Sequence, residues 1–180
     1  MASPFTVITA SIPERWELLQ DARASVAAQT HQPDTHLIRI NEPGKSFGYK
    51  HLGEQRNILL GAVTTEWVAT LDDDDLLDPD YLETISQHVN GADVVYGWCR
   101  GRTHRRSSWD PALLRKENYI CGVACVRTEA ALSVGGWPAD GRQEDWFMWQ
   151  KLLDVGARFV CVERELWTHR SGDWLTITPA

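Results

Sequence analysis

The sequence has no apolar run of membrane-spanning length, and no basic lead precedes the short apolar stretch of its N-terminus, MASPFTVITASIPER. These absences argue against a transmembrane helix and a secretory leader, so we expect a cytoplasmic protein. We find no internal repeat, no low-complexity tract and no linker long enough to separate domains. The 180 residues, 43% apolar and 24% charged, therefore predict one soluble domain with a substantial core.

Cysteine is also scarce, with four residues and no CxxC pair. Three of the four lie in apolar, strand-like runs, so buried thiols are the expected state, and a disulfide or a zinc site is the alternative. The four are Cys99, Cys121, Cys125 and Cys161. Acids outnumber bases, and the net charge of -7 argues against a nucleic-acid partner in general.

The apolar pattern predicts strands and helices in alternation. In the first half, strands are expected at 5–9, 37–41, 67–71 and 93–96, with helices between them at 13–29, 52–63 and 79–89. The second half predicts strands at 122–127 and 158–162 and helices at 129–134 and 146–155. Strand–helix–strand units build an α/β domain with a mostly parallel central sheet flanked by helices. Ligands should bind at the carboxyl ends of its strands.

A run of four acids, Asp72–Asp75, comes directly after the apolar strand at 67–71. Adjacent carboxylates repel one another, and their position at the end of a buried strand is unfavourable unless a cation or hydrogen-bond donors compensate. Oxygen-only ligands of this kind suit Mg²⁺ or Mn²⁺, which take their remaining ligands from water and substrate phosphates. The run therefore predicts a divalent cation and a diphosphate-bearing ligand.

The alternative is a solvated acidic turn that caps the next helix, with Asp78 as N-cap and Pro79 in the first helical position. Asp78 alone would satisfy that role, which leaves the four preceding acids unexplained. An EF-hand is excluded, because Leu76 and Leu77 stand where that loop requires a ligand and a glycine.

Basic residues crowd into one segment, WCRGRTHRRSSW, in an otherwise acidic chain. The segment is a candidate surface for a phosphate-bearing partner, and a solvated loop is the equal alternative. Nine tryptophans are many for this length. Most should lie in the core, although an exposed indole beside a cleft would suit stacking on a sugar ring.

Four motifs in this order resemble family 2 glycosyltransferases of the GT-A fold. They are the first strand with SIPER, the phrase EQRNILLGAVTTEWVATLDDDDLLDPDYL, the turn VGGWP, and QEDWFMWQKLLDVGARF. The resemblance spans residues 5–169 and implies a single minimal GT-A (Rossmann-like) domain over 1–180, with a donor half at 1–97 and an acceptor half at 98–180. It also implies a nucleotide-sugar donor, with a UDP-sugar expected, and Mn²⁺ or Mg²⁺ as cofactor.

The resemblance further implies roles for individual residues. Thr9, Ser11 and Arg15 resemble the segment that holds the base and diphosphate, and Arg56 resembles an arginine that approaches the nucleotide. Asn41 stands where the family often has an acid for the base, a departure that leaves the choice of nucleotide open.

The acid run resembles the family's DxD signature. Asp72 and Asp74 match its two acids, with Asp74 as direct metal ligand and Asp73 reaching the ribose. His169 is similar to a late histidine that completes the metal site in some members, although its surroundings, WTHRSGD, depart from the commoner pattern.

Asp145 is similar to the family's catalytic base, with Glu144 as its neighbour; two acids at the start of a helix are otherwise ordinary complements of the helix dipole. Direct attack assisted by one carboxylate base predicts inversion at the anomeric carbon. Arg102, Arg105, Arg106, Tyr119 and Trp137 are the candidate acceptor contacts, and the acceptor could be a phosphorylated glycan, a lipid phosphate or modified DNA.

Two other functions stay open from the sequence. A nucleotidyltransferase on a similar sheet would also need acids, but it would normally carry a Gly-rich loop after the first strand, and ASIPER has no glycine. A catalytically silent nucleotide-binding module is the other alternative, against which the intact Asp72, Asp74 and Asp145 argue.

Overall fold

The computed structural model describes residues 4–41, 51–100, 107–139 and 143–170. Within these ranges the strands are β1 (Phe5–Ser11), β2 (Thr35–Ile40), β3 (Trp67–Thr70), β4 (Asp75–Leu77), β5 (Val94–Arg100), β6 (Cys125–Arg127) and β7 (Phe159–His169). The helices are α1 (Trp16–Ala27), α2 (Leu52–Leu60), α3 (Tyr81–Ser86), α4 (Pro111–Leu114), α5 (Thr128–Ser133) and α6 (Glu144–Asp154), and a 3-10 helix, Pro13–Arg15, precedes α1. In the described ranges no helix combines the length and apolar character that crossing a bilayer requires.

The strands form one sheet in the order β2-β1-β3-β6-β5-β7-β4. Five of them run in one direction, whereas β6 and β4 are antiparallel to their neighbours. The predicted α/β domain with a mostly parallel sheet flanked by helices is confirmed. The predicted strands and helices all exist, with shifted ends, and the structure adds β4 and the short α4.

Helices cover both faces of the sheet, so the central strands β1 and β3 are buried along their whole length. Alternate side chains of β1 enter two separate apolar cores, as the two-residue period of a strand requires. Phe5 and Val7 join the core beneath α1 and α3, and Ile8 joins the core beneath α2, α5 and α6. This arrangement leaves only the ends of β1 and β3 available for polar chemistry.

The chain after the acid run differs from the prediction. Asp75–Leu77 form the edge strand β4 instead of leading into a helix, and α3 begins only at Tyr81, without a side-chain cap. The Asp78 carboxylate accepts a hydrogen bond from Arg100 at 2.6 Å. The prediction of Asp78 as N-cap is therefore wrong, because backbone pairing with β7 keeps this stretch extended for longer.

Strands β5 and β7 are both longer than the sequence predicts. They pair in parallel from Val94 opposite Phe159 to Arg100 opposite Thr168, with register shifts after Gly97. The exposed pair Glu163 and Arg164 interrupts the apolar pattern of β7, so the second half of this strand is not evident from the sequence. As a result, His169 is the last residue of a strand.

The turn at 135–138 packs directly against α2. Gly136 has a φ of 65°, and a Cβ built on it would lie 2.1 Å from Asn57 Oδ1. Only glycine combines this left-handed conformation with so close an approach. The turn therefore fixes the distance between α2 and the chain that leads into α6, and both helices contribute charged residues to the candidate active site.

Candidate active site

The four acids, Asp72–Asp75, form a tight turn that connects β3, inside the sheet, to β4, at its edge. We call this segment the acid turn. The Asp75 N–H donates a hydrogen bond to the Asp72 carbonyl at 3.1 Å. Asp73 and Asp75 are buried, whereas Asp72 and Asp74 are partly exposed. The exposed carboxylate surface of the acid turn therefore belongs to Asp72 and Asp74.

Asp73 and Asp74 are held from the first strand and the 3-10 helix. The Ser11 hydroxyl donates to Asp73 Oδ2 at 2.7 Å, and the Arg15 guanidinium lies 3.0 Å from Asp73 Oδ1 and also contacts Asp74. Burial raises the pKa of Asp73 to about 6, although Arg15 and Ser11 oppose the rise. The structure therefore brings three of the predicted nucleotide contacts, Ser11, Arg15 and Asp73, together with the predicted metal ligand Asp74.

Asp75 and His169 face each other across the antiparallel pair of β4 and β7. His169 Nδ1 lies 2.9 Å from Asp75 Oδ1. Burial raises the pKa of Asp75 to about 7, against the hydrogen bond from His169. His169, which was predicted as a metal ligand, thus contacts the acid turn through its hydrogen bond with Asp75. Asp75 itself was not among the metal ligands predicted from the sequence.

Arg56 on α2 is the buried cation of the site. Its guanidinium is 2.5 Å from Asp72 Oδ1 and 3.0 Å from Glu144 Oε1, and it also contacts Asp145. Burial alone would lower the pKa of Arg56, but the three carboxylates outweigh it and raise the pKa further. A permanently charged guanidinium therefore joins the acid turn to the first residues of α6.

Asp145 lies in the first turn of α6, beside Glu144. Burial is the main reason that the pKa of Asp145 rises to about 7; Arg56 lowers it, while Glu144 and Asp72 raise it further. A carboxylate with a pKa near neutrality can both accept and hold a proton under ordinary conditions. This behaviour is what a general base needs.

Asp145, Asp72 and Arg56 pack closely against the backbone at Gly122. A Cβ built there would lie 2.9 Å from Asp145 Oδ2 and 3.3 Å from Asp72 Oδ2. Sequence reasoning missed this residue. The available signal was a single glycine inside an apolar strand-like run, which often marks a close approach of backbone to another group.

Three carboxylates of the acid turn could hold a metal ion. Asp72, Asp74 and Asp75 each place one oxygen so that all three lie within 4.8 Å of one another. Oxygen donors alone, two of them partly exposed, fit Mg²⁺ or Mn²⁺, which retain open positions for water and phosphate. Burial raises the pKa of Asp75, so a cation beside this carboxylate would favour its charged form.

Two of the predicted nucleotide contacts lie apart from the charged cluster. Thr9 is buried, and its hydroxyl is 2.9 Å from Nε2 of His36. Asn41 comes directly after β2, and its N–H donates to the Ser11 carbonyl at 3.0 Å. Asn41 therefore stands at the same edge of the sheet as Ser11, whereas the Thr9 hydroxyl is already engaged inside the protein.

The predicted acceptor contacts fall into two groups. Tyr119 and Trp137 are buried, with 3% and 1% of their surface exposed, so both are core residues and offer no surface to an acceptor. The Trp137 indole packs against the Arg56 guanidinium, with 5.9 Å between Cζ of Arg56 and the ring centroid. Arg102, Arg105 and Arg106 lie outside the described residues.

A family model described as glycosyl transferase family 2 matches residues 45–154, more than half of the chain. That range includes α2, the acid turn and α6. A search of curated proteins gave no match.

Solved structures share the fold at low identity. S. aureus TarS 1–349 in complex with UDP-GlcNAc aligns with 98% of this chain and 62% of its own, with a TM-score of 0.75 and 14% identity. The mannosyltransferase PcManGT from Pyrobaculum calidifontis, in complex with GDP-Man and Mn²⁺, aligns over 97% and 59%, with a TM-score of 0.73 and 16% identity.

Glucosyl-3-phosphoglycerate synthase from Mycobacterium tuberculosis, in complex with Mn²⁺, UDP and phosphoglyceric acid, aligns over 94% of this chain and 72% of its own. The TM-score is 0.69 and the identity is 15%. The chain spans about three-fifths of the length of the TarS fragment and of the mannosyltransferase. The expected GT-A type of fold and the resemblance to family 2 glycosyltransferases are confirmed.

Proposed function

The chain belongs to glycosyl transferase family 2, and from that membership we propose that it moves a sugar from a nucleoside diphosphate sugar to an acceptor hydroxyl. One observation carries the proposal. Arg56 holds Asp72 of the acid turn and Asp145 of α6 on the same guanidinium, so a donor-binding group and a candidate base share one small site. Both carboxylates also lie close to Gly122.

The donor would bind beside the acid turn. Ser11, Arg15 and Asn41 lie at this edge of the sheet and are suited to contact the nucleotide. Asp73 is the proposed ribose contact, a role that requires its contacts with Ser11 and Arg15 to open, because this carboxylate is buried. A UDP-sugar is the proposed donor, supported by the UDP and UDP-GlcNAc complexes of proteins with this fold. We assign the donor half to residues 1–97 and the acceptor half to 98–180.

A divalent cation, Mn²⁺ or Mg²⁺, is the proposed cofactor. Asp72, Asp74 and Asp75 would hold it, and His169 would orient Asp75 through the hydrogen bond at 2.9 Å. When bound, the cation supplies Lewis-acid stabilisation of the negative charge on the departing diphosphate. Mn²⁺ and Mg²⁺ complexes of proteins with the same fold support this choice.

Asp145 is the proposed base. Its carboxylate accepts the proton of the acceptor hydroxyl while the hydroxyl oxygen bonds to the anomeric carbon, and the bond from that carbon to the diphosphate oxygen breaks. The nucleoside diphosphate leaves with the electron pair. Arg56, which also pairs with Glu144, keeps Asp145 in position. A single displacement of this kind inverts the configuration at the anomeric carbon.

A phosphate-bearing acceptor is proposed for the basic segment that contains Arg102, Arg105 and Arg106. The described residues on either side of that segment are fixed to the sheet. Arg100 pairs with Asp78 and Glu165 at 2.6 and 2.9 Å, and the ring of Trp109 stacks on that of Phe159 with centroids 4.4 Å apart. Phosphorylated glycans, lipid phosphates and DNA carry the chemistry that such a segment would recognise.

The experiment that tests the function incubates the protein with Mn²⁺ and a panel of nucleotide sugars and measures release of nucleoside diphosphate. Release with at least one donor, abolished by EDTA, is the expected result. Calorimetry of UDP binding with and without Mn²⁺ runs in parallel. Nucleotide binding without release from any donor would instead support a silent binding module, and release of pyrophosphate from nucleoside triphosphates would support a nucleotidyltransferase.

The stereochemical outcome is read by NMR of the first-formed product. Inversion of the anomeric configuration is expected. Retention would contradict the single-displacement mechanism while leaving the transferase assignment intact.

A further inference from the structure

Arg170 comes directly after His169, and its side chain contacts the backbone of the acid turn. Its Nε donates to the backbone carbonyl of Asp74 at 2.7 Å. Nothing in the sequence singled this residue out, because an arginine in a polar stretch is ordinarily a solvated side chain. Here its side chain is only 24% exposed.

The same guanidinium also reaches α1. Its Nη1 donates to Asp21 Oδ2 at 2.6 Å, and its Nη2 donates to the Leu18 carbonyl at 3.0 Å. Three donors of one planar group thus serve three acceptors on two segments, a geometry that arginine can provide and lysine cannot. Arg170 therefore fixes the backbone of the acid turn to the N-terminal half of α1.

Two arginines hold Asp74, each at a different group. The Asp74 carboxylate contacts Arg15, which ends the 3-10 helix in front of α1, while its carbonyl contacts Arg170. The neighbouring Asp75 is held by His169. His169, the last residue of β7, thus contacts the Asp75 side chain, and the next residue, Arg170, contacts the Asp74 backbone.

We propose that Arg170 is a positioning residue for the metal-binding carboxylate of Asp74. The inference rests on the proposed function, because it assumes that the acid turn holds Mn²⁺ or Mg²⁺. Groups that hold metal ligands in place typically change metal affinity about 10–100-fold when they are removed. Arg170 would act through the Asp74 carbonyl, without touching the ion or the donor.

Charge alone predicts that removal of Arg170 changes Mn²⁺ affinity in the opposite direction, so an experiment can distinguish the two effects. Arg170 places a positive charge beside a cation site, so if charge were its only contribution, its removal would strengthen Mn²⁺ binding. A positioning role predicts weaker binding, because the Asp74 carboxylate loses its fixed orientation. The direction of the change in affinity therefore separates the two effects.

The test uses the whole chain and titrates Mn²⁺ into protein with UDP, monitoring nucleotide affinity by calorimetry. Arg170→Ala should need about tenfold more Mn²⁺ for half of the gain in UDP affinity, and saturating Mn²⁺ should restore the full gain. The Mn²⁺ requirement of Arg170→Lys should lie between those of the parent and Arg170→Ala. Melting temperatures in EDTA show whether each variant is folded. If Arg170→Ala does not fold, the Mn²⁺ requirement of Arg170→Lys tests the proposal.

Asp21→Asn is the matched control. It weakens the exposed ion pair of the same guanidinium and leaves the Asp74 contact in place, so its Mn²⁺ requirement should stay within about twofold of the parent. An unchanged or lower Mn²⁺ requirement in the Arg170 variants would overturn the proposal, as would an equal loss in Asp21→Asn. If Mn²⁺ does not affect UDP binding even in the parent, the proposed cofactor itself fails, and the positioning role fails with it.

Discussion

Asn57 and Trp137 exchange two hydrogen bonds. The Asn57 side-chain amide donates to the Trp137 carbonyl at 2.7 Å, and the Trp137 N–H donates to Asn57 Oδ1 at 2.9 Å. Asn57 is the residue after Arg56 on α2, and Trp137 belongs to the turn ahead of α6. The pair therefore sets how α2 meets that turn and supports the contact between Arg56 and Asp145.

Asn57→Ala should destabilise the protein and reduce transfer together. It leaves the backbone N–H and C=O of Trp137 without partners, which costs about 1–3 kcal/mol for each group that stays buried. Urea unfolding and steady-state kinetics measure the two effects. Asn90→Ala, at an exposed position, is the control and should be close to neutral. Equal behaviour of the two variants would contradict the structural role given to Asn57.

Asp145→Asn should keep nucleotide binding and lose about 10²–10⁴-fold in transfer, because an amide cannot accept the proton of the acceptor hydroxyl. The pH profile of kcat/KM in the parent should rise with pH and level off above about 7, since protonation of Asp145 removes the base below that value. Asp154→Asn, on the same helix but exposed, is the control. Full activity of Asp145→Asn would transfer the role to Glu144 or to another carboxylate.

Gly122→Ala should separate nucleotide binding from sugar transfer. The added methyl group would stand 2.9 Å from Asp145 Oδ2, so the carboxylate of the proposed base would have to move. We expect UDP affinity within a few-fold of the parent and kcat/KM lowered by about tenfold or more. Gly61→Ala is the control, because its Cβ would meet only ordinary contacts at 3.6 Å. Normal transfer by Gly122→Ala would place the reaction elsewhere.

Asp74→Ala should remove the dependence of UDP affinity on Mn²⁺. The variant loses an accessible carboxylate of the proposed metal site, while Ser11 and Asp73 remain in place. Calorimetry with Mn²⁺ and with EDTA should give nearly the same UDP affinity in this variant. Asp80→Asn, whose carboxylate pairs with Arg164 on the surface, should respond to Mn²⁺ as the parent does.

Asp75→Asn should be more stable than the parent at alkaline pH in EDTA. The folded-state pKa of Asp75 is raised to about 7, from an unfolded value near 4, so ionisation costs the folded protein stability as pH rises between these values. The free energy of unfolding of Asp75→Asn should equal that of the parent near pH 4. Its excess over the parent should grow up to pH 7 and stay constant above that value, at about 1–3 kcal/mol.

Urea unfolding at several pH values measures this difference. An advantage that stays constant from pH 4 to pH 8 would contradict the assignment to Asp75 ionisation. Mn²⁺ should stabilise the parent at pH 8 and not the Asp75→Asn variant, if the carboxylate is a ligand as proposed.

The position of the acid turn was predictable because it depends on local pattern. A short apolar strand ends at Thr70, and four acids come after it within a few residues. Local pattern ended the first strand at Thr9, two residues before the end of β1, and the roles of Ser11 and Arg15 came from the resemblance to the family. The position of the acid turn requires only that parallel strands end at a common edge.

Partners distant in sequence were not predictable from local pattern. Asp75 pairs with His169, 94 positions away, and the three-residue β4 that aligns them is too short to show periodicity. Tyr119 and Trp137 suit the core and an acceptor surface equally well by residue type, and only tertiary packing decides between the two. Arg56 was expected at the nucleotide, but its contacts with Glu144 and Asp145 depend on how α2 meets α6.

The acid turn also limits the shape of the sheet. β3 and β4 are four places apart in the strand order, a separation of about 19 Å if the sheet were flat. The five peptide steps from Thr70 to Asp75 span at most about 17 Å when fully extended, and here they include a tight turn. The sheet must therefore curl until its edge approaches its centre. The number of residues between Leu71 and Asp75 is therefore constrained, and an inserted residue would change the spacing between β3 and β4 even with every carboxylate retained.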